Sequence, residues 1–173
     1  SLIRLLDGRE YPEEKIHEMM DRKNRYYQEM IAGLTPENLL PGARPLLESL
    51  KIRGVKIAIG SASKNARAVI EKLGIANLVD AVSDGHSVRR QKPAPDLFLH
   101  AAGQLGLLPS ECVVFEDAEA GVAAALSGGF WTVGIGPEER VGEAHLVLPG
   151  LADITWEELA ARFQNKFMAL KSG

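Results

Sequence analysis

Apolar residues recur at helical spacing through the first part of the chain, where no strand pattern is found. A long helix is predicted after Tyr11-Pro12-Glu13-Glu14, since proline and acidic residues favour a helix start, and it is predicted to end at Gly33. The Met and Tyr residues of this helix are interpreted as packing residues. A second short helix is predicted over Leu2–Leu6. This part is therefore predicted to be a helical lid or subdomain.

From Gly42 onward, short β-rich runs alternate with amphipathic helical runs that end at glycines. The alternation indicates an α/β fold, in which helices cover both faces of a parallel sheet. The predicted strands are Val55–Ile59, Val79–Val82, Cys112–Phe115, Trp131–Ile135 and Leu146–Leu148. The predicted helices are Arg44–Arg53, Asn65–Leu73, Leu97–Leu105, Gly121–Leu126 and Trp156–Phe167.

Composition narrows the classes of function. Hydrophobic residues make up 46% and charged residues 25% of the chain, which is typical of a globular protein. The net charge of −3 gives no basic excess for a nucleic-acid partner. Cys112 is the single cysteine, so no disulfide forms within the chain and a cytoplasmic location is expected. We expect no signal peptide and no membrane partner, because no apolar run approaches the ~20 residues of a membrane span.

Candidate chemistry follows three successive strands, at the edge where open α/β sheets bind ligands. The first segment, Gly60–Asn65, holds two hydroxyls, an ammonium and an amide where a helix is predicted to begin, which suits phosphate. Its polar residues are Ser61, Ser63, Lys64 and Asn65. Alternatively, Ser61 or Ser63 only caps the helix and Lys64 is solvated.

The second segment places Lys92 before two prolines, on a loop that proline stiffens. Lys92 would be a point charge directed at a phosphate. Alternatively, the segment is a basic turn in which proline and Asp96 begin the next helix.

The third segment, Glu116-Asp117, places two carboxylates side by side at a strand end. Mg²⁺ is their natural partner, because adjacent carboxylates need a cation or a donor between them. Alternatively, they stabilise the start of the following helix. A serine, a lysine and an acidic pair after successive strands indicate a phosphoryl-transfer site with a metal.

These segments resemble the second, third and fourth motifs of the haloacid dehalogenase superfamily. The fuller strings are similar to its β-phosphoglucomutase branch: Ser61-Ala62-Ser63-Lys64-Asn65, Lys92-Pro93-Ala94-Pro95-Asp96, Glu116-Asp117-Ala118-Glu119-Ala120-Gly121 and, on the long helix, Arg22-Lys23-Asn24. The resemblance runs from Ser1 to about Phe163. It implies a Rossmann-like core over residues 41–173 and a partial helical cap over residues 1–40.

The resemblance also implies a role for each matching residue. By this resemblance, Ser61 and Lys92 would hold the transferring phosphoryl group, and Ser63, Lys64 and Asn65 would hold the distal phosphate. Glu116 and Asp117 would bind Mg²⁺, and the cap residue Lys23 would face the sugar phosphate. A mutase that works through a bisphosphate grips two phosphates, whereas a phosphatase needs one grip. We therefore expect a sugar-phosphate mutase that interconverts β-glucose 1-phosphate and glucose 6-phosphate; a small-molecule phosphatase and a non-catalytic remnant that binds phosphosugars or a partner are the alternatives.

The chain departs from the family in one decisive respect, because it contains no Asp-x-Asp; in a lesser departure, Ala118 stands where the family commonly has serine. In the family this motif supplies the nucleophile and the acid/base on the first core strand, which lies between the strands ending at Ser61 and Glu116. We expect this strand to be missing here, the 173-residue chain to be inactive, and Val55–Ile59 and Cys112–Phe115 to face each other unpaired. We expect a protein that includes this strand to be a monomer, and self-association is an alternative for the 173-residue chain.

Overall fold

The computed structural model describes residues 11–152 and 154–171, so the helix predicted over Leu2–Leu6 lies outside the described residues. The long helix, α1, spans Glu13–Ala32. It begins after Pro12, with Glu13 and Glu14 in the first turn, where carboxylates compensate the helix dipole, and Gly33 follows its last residue. This start and end agree with the sequence prediction.

Helices and strands alternate through the rest of the described chain. The helices are α2 (Ala43–Ile52), α3 (Ala66–Lys72), α4 (Asp96–Leu105), α5 (Glu119–Ser127), α6 (Glu138–Val141) and α7 (Trp156–Lys171). The strands are β1 (Ala58–Gly60), β2 (Ala81–Ser83), β3 (Val113–Glu116), β4 (Trp131–Ile135) and β5 (Leu146–Leu148). Short 3₁₀ turns cover Pro36–Asn38, Ala76–Leu78 and Pro109–Glu111.

The strands form two parallel sheets. β1 pairs with β2, with Ile59 opposite Val82. β3 pairs with β4, which pairs in turn with β5. Within the described residues β1 and β3 do not pair, as expected from the sequence. Parallel strands with flanking helices confirm the predicted α/β class.

Asp80 makes β1 shorter than predicted. Its carboxylate accepts a hydrogen bond from the Ile57 N–H (2.8 Å) and forms an ion pair with Lys51. The Asp80 N–H donates to the Ile57 carbonyl (2.7 Å). Before Ala58, the Ile57 N–H is therefore bound to a side chain, and the Val55 N–H donates to the Leu50 carbonyl in the last turn of α2 (3.0 Å). The ladder begins only at Ala58, so the predicted start at Val55 is wrong.

The core lies between the sheets and the helices of residues 41–164. Its fully buried side chains include Leu97 on α4, Val122 on α5, Val133 on β4 and Leu148 on β5. No helix in the described ranges combines the length and the apolarity that a membrane crossing needs.

Helix α1 is largely exposed, and the packing interpretation of its residues is wrong for three of them. Met20, Tyr26 and Met30 are exposed, whereas Ile31 is buried. Among the described residues, α1 contacts the core mainly through the side that packs against α3. Its apolar residues on the other sides remain in contact with solvent.

Asp80→Asn is expected to lower the free energy of unfolding at neutral pH and to have little effect near ~pH 2. The Lys51 ammonium, followed by the Ile57 N–H, lowers the pKa of Asp80 in the folded protein. The contribution is therefore present above the unfolded pKa of about 3.9 and is lost as the pH falls through the lower folded pKa. Urea unfolding at the two pH values measures it. Asp21→Asn, on exposed α1, is the control, and an equal loss for Asp80→Asn at both pH values would contradict the electrostatic explanation.

Candidate functional site

Two serine hydroxyls organise the turn that follows β1. The Ser61 N–H donates to the Ser83 carbonyl (2.9 Å), which extends the β1–β2 pairing by one residue. Ser61 Oγ accepts the Ser63 N–H (3.2 Å), and Ser63 Oγ accepts the Asn65 N–H (3.1 Å). Both hydroxyls thus accept backbone N–H groups within the turn, whereas α3 has Asn65 as its N-cap and no side-chain cap, so the capping alternative is wrong. Each hydroxyl retains its own hydrogen for another acceptor.

Gly85, in the loop after β2, lets that loop approach the serine turn. Its N–H donates to the Ser63 carbonyl (3.4 Å), and a Cβ at this position would overlap the Ala62 carbonyl oxygen. The exposed Lys64 packs its Cγ near the same glycine. Sequence reasoning gave Gly85 no role, although an Asp-Gly pair directly after a strand is a strong turn signal.

Tyr27 joins helix α1 to the serine turn. Its hydroxyl donates to Ser63 Oγ at 2.7 Å. Lys23 lies one turn earlier on the same face of α1, and its side chain is exposed. The structure therefore places Lys23 on the helix face that meets Ser63. Sequence reasoning missed Tyr27, because its spacing in the helix is also that of a packing residue.

Lys92 turns toward the end of β3 and forms an ion pair with Glu116. Its ammonium also lies 4.6 Å from the centroid of the Phe98 ring. The Lys92–Pro93 peptide bond is cis. The neighbouring Arg90 is exposed, forms two 2.7 Å hydrogen bonds to Asp96 and lowers the pKa of that carboxyl. Asp96 begins α4 after Pro95, as the basic-turn alternative proposed.

The two members of the acidic pair differ in environment. Glu116 is 9% exposed and is held by Lys92, whereas Asp117 is exposed. Gly121 on α5 makes room for Glu116, because a Cβ there would overlap its carboxyl group. Among the described residues no three His, Cys, Asp or Glu side chains cluster as metal ligands. The predicted site residues thus form two contacting groups, Ser61–Ser63–Asn65 with Tyr27 and Lys92 with Glu116.

The chain belongs to the haloacid dehalogenase-like hydrolase family, whose model matches residues 2–129. Within that family it is similar to β-phosphoglucomutase from Bacillus subtilis, with 41% identity over 155 residues that cover 90% of this chain and 69% of that protein. The crystal structure of β-phosphoglucomutase from Clostridium difficile superposes with a TM-score of 0.84 at 34% identity, covering 91% of this chain and 71% of that one.

The chain is also similar to a phosphorylated carbohydrates phosphatase from Thermotoga maritima, at 29% identity over 91% of this chain and 70% of that protein. It spans only 58% of the length of β-phosphoglucomutase from Mycobacterium tuberculosis, to which it is 34% identical over 152 residues. The relatives thus include both mutases and phosphatases of phosphorylated sugars, and the chain matches part of their length.

Gly121→Ala is expected to destabilise the protein by about 1–3 kcal/mol, because the new methyl group would force the Glu116 carboxyl from its position. The matched control is Gly103→Ala in α4, where a Cβ would meet nothing within 4 Å. This control is expected to stabilise the helix by about 0.5–1 kcal/mol. Urea unfolding of both variants measures the difference, and equal effects would refute the close approach of Glu116 to α5.

Proposed function

We propose that this chain carries the phosphosugar-binding part of a β-phosphoglucomutase-type enzyme, which interconverts β-glucose 1-phosphate and glucose 6-phosphate through a bisphosphate. The observation that carries the proposal is the set of hydroxyl, amide and ammonium groups that follow β1 and β2, which offers enough donors for two phosphates. Ser61 and Lys92 would hold the transferring phosphoryl group, as a hydroxyl donor and a cation. Ser63, Lys64 and Asn65 would hold the distal phosphate, and the 41% identity to the Bacillus subtilis mutase supports this assignment.

Mg²⁺ is the proposed cofactor, and Glu116 and Asp117 are its proposed ligands. Mg²⁺ usually takes one or two protein carboxylates and completes its shell with waters and phosphate oxygens, so a two-carboxylate site fits it. The space beside Gly121 lets the Glu116 carboxyl lie against α5, and the exposed Asp117 is accessible from solvent. When bound, the metal would neutralise the charge of the phosphoryl group. Lys92, held by Glu116 and Phe98, would stabilise the same oxygens.

We further propose that the 173-residue chain alone turns over no substrate, because it contains no Asp-x-Asp to supply the nucleophile and the acid/base. Helix α1, with Lys23 on the face that meets the core, would close over the sugar as a cap and exclude water. The proposed division is a partial cap over residues 1–40 and a core over residues 41–173.

A phosphatase that acts on phosphorylated sugars is the second candidate, favoured by the similarity to the Thermotoga maritima protein. A phosphatase needs only one phosphate-binding site, so the affinity for a second phosphate distinguishes the phosphatase from the mutase. A non-catalytic phosphosugar-binding protein would bind both ligands and turn over neither. The proposed inactivity is tested by incubating the purified chain with β-glucose 1-phosphate, Mg²⁺ and bisphosphate primer. Turnover would contradict both the inactivity of the chain and the non-catalytic candidate.

β-Glucose 1,6-bisphosphate is expected to bind the chain about tenfold more tightly than glucose 6-phosphate, since hydrogen bonds to a charged phosphate contribute about 1.5–3 kcal/mol. Lys64→Ala is expected to remove most of that preference. Lys72→Ala, which removes an exposed lysine at the far end of α3, is the control and should leave the preference unchanged. Isothermal titration calorimetry measures the affinities, and equal affinities of the unchanged chain for the two ligands would favour the phosphatase.

A further inference from the structure

The contact between Tyr27 and Ser63 connects two parts of the chain that are 36 residues apart in sequence. Tyr27 lies on α1, which is otherwise largely exposed, and Ser63 lies in the turn after β1. Both side chains are half-buried, so the hydrogen bond is partly shielded from competing water. Sequence reasoning assigned Tyr27 to packing, and the proposed reaction gives it no role.

The hydrogen bonds of Ser63 determine where its hydrogen can point. A serine hydroxyl has one hydrogen to donate and two lone pairs to accept. Ser63 Oγ accepts from the Asn65 N–H at 3.1 Å and from the Tyr27 hydroxyl at 2.7 Å. Tyr27 is the donor in this pair because a phenol is the stronger acid of the two hydroxyls. Both lone pairs of Ser63 are then used, and its hydrogen is directed away from both partners.

Two lysines neighbour this pair of residues along the chain. Lys23 lies four residues before Tyr27 on the same face of α1, and Lys64 follows Ser63 directly. Both side chains are exposed and can reorient toward a ligand. A hydroxyl restricted to donating, with a lysine on each of the two segments that meet there, suits a multiply charged oxyanion such as a phosphate monoester.

We propose that Tyr27 is a positioning residue that holds the Ser63 hydroxyl as an obligate donor to the distal phosphate of a phosphorylated sugar. This inference rests on the proposed function, because that function assigns the distal phosphate to Ser63. In the absence of the Tyr27 hydroxyl, the Ser63 hydrogen rotates among several acceptors, including water, and its donation to the phosphate is no longer enforced.

The test compares Tyr27→Phe with Tyr26→Phe, which removes a hydroxyl from the adjacent residue, 66% exposed, on the same helix. The full chain is titrated calorimetrically with β-glucose 1,6-bisphosphate in the presence of Mg²⁺. Tyr27→Phe is expected to weaken binding about two- to tenfold, the usual effect of one lost hydrogen bond, and Tyr26→Phe to leave it unchanged. A shift of the Asn65 amide resonance during the titration locates the ligand at the serine turn.

A double-mutant cycle separates positioning from a structural role. In a Ser63→Ala background, Tyr27→Phe is expected to cause no further weakening, because the hydroxyl that it orients is gone. Equal weakening in both backgrounds, or equal effects of Tyr27→Phe and Tyr26→Phe, would overturn the role of Tyr27 and leave the proposed function standing. If the unchanged chain binds the bisphosphate no better than unphosphorylated glucose, both proposals fail.

Discussion

The ion pair between Lys92 and Glu116 is the interaction on which the arrangement at the sheet edge depends. Lys92 lies in the loop after β2 and Glu116 ends β3, so the pair joins two sheets that do not hydrogen-bond to each other within the described part of the chain. The side chains are only 18% and 9% exposed. Loss of one partner from such a pair typically costs about 3–5 kcal/mol, because the other charge is left buried. This contact therefore contributes to stability and, in the proposed function, also positions a residue of the phosphoryl chemistry.

Helix α1 is attached differently. Most of its surface is exposed, and the hydrogen bond from Tyr27 to Ser63 contributes a polar link to the core beside the buried Ile31. A helix held by few apolar contacts is typical of elements that move when a ligand binds, since opening it exposes little apolar surface. The polar link ends at the turn proposed for the distal phosphate. In the proposed function, the same serine therefore contacts both helix α1 and the ligand.

The structure also refines the alternatives that each sequence motif left open. Ser61 and Ser63 accept backbone N–H groups within the turn rather than capping α3, and this bonding leaves their hydrogens free to donate. Arg90 forms the exposed turn contact with Asp96, which leaves Lys92 to turn inward. In the proposed function, structural and ligand-binding roles coexist in the first segment, and in the second segment they are divided between Arg90 and Lys92.

The sequence by itself determined the alternation of strands and helices, most helix ends and the polar residues that follow each strand, because these depend on residues close together along the chain. Only the tertiary structure decided that Lys92 meets Glu116, 24 residues away, that Tyr27 meets Ser63, and that Asp80 delays the start of β1. Each of these contacts depends on how helices and sheets pack in space. Residue spacing carries no record of that packing, so a tyrosine at a packing position and a tyrosine that orients a serine look the same in the sequence.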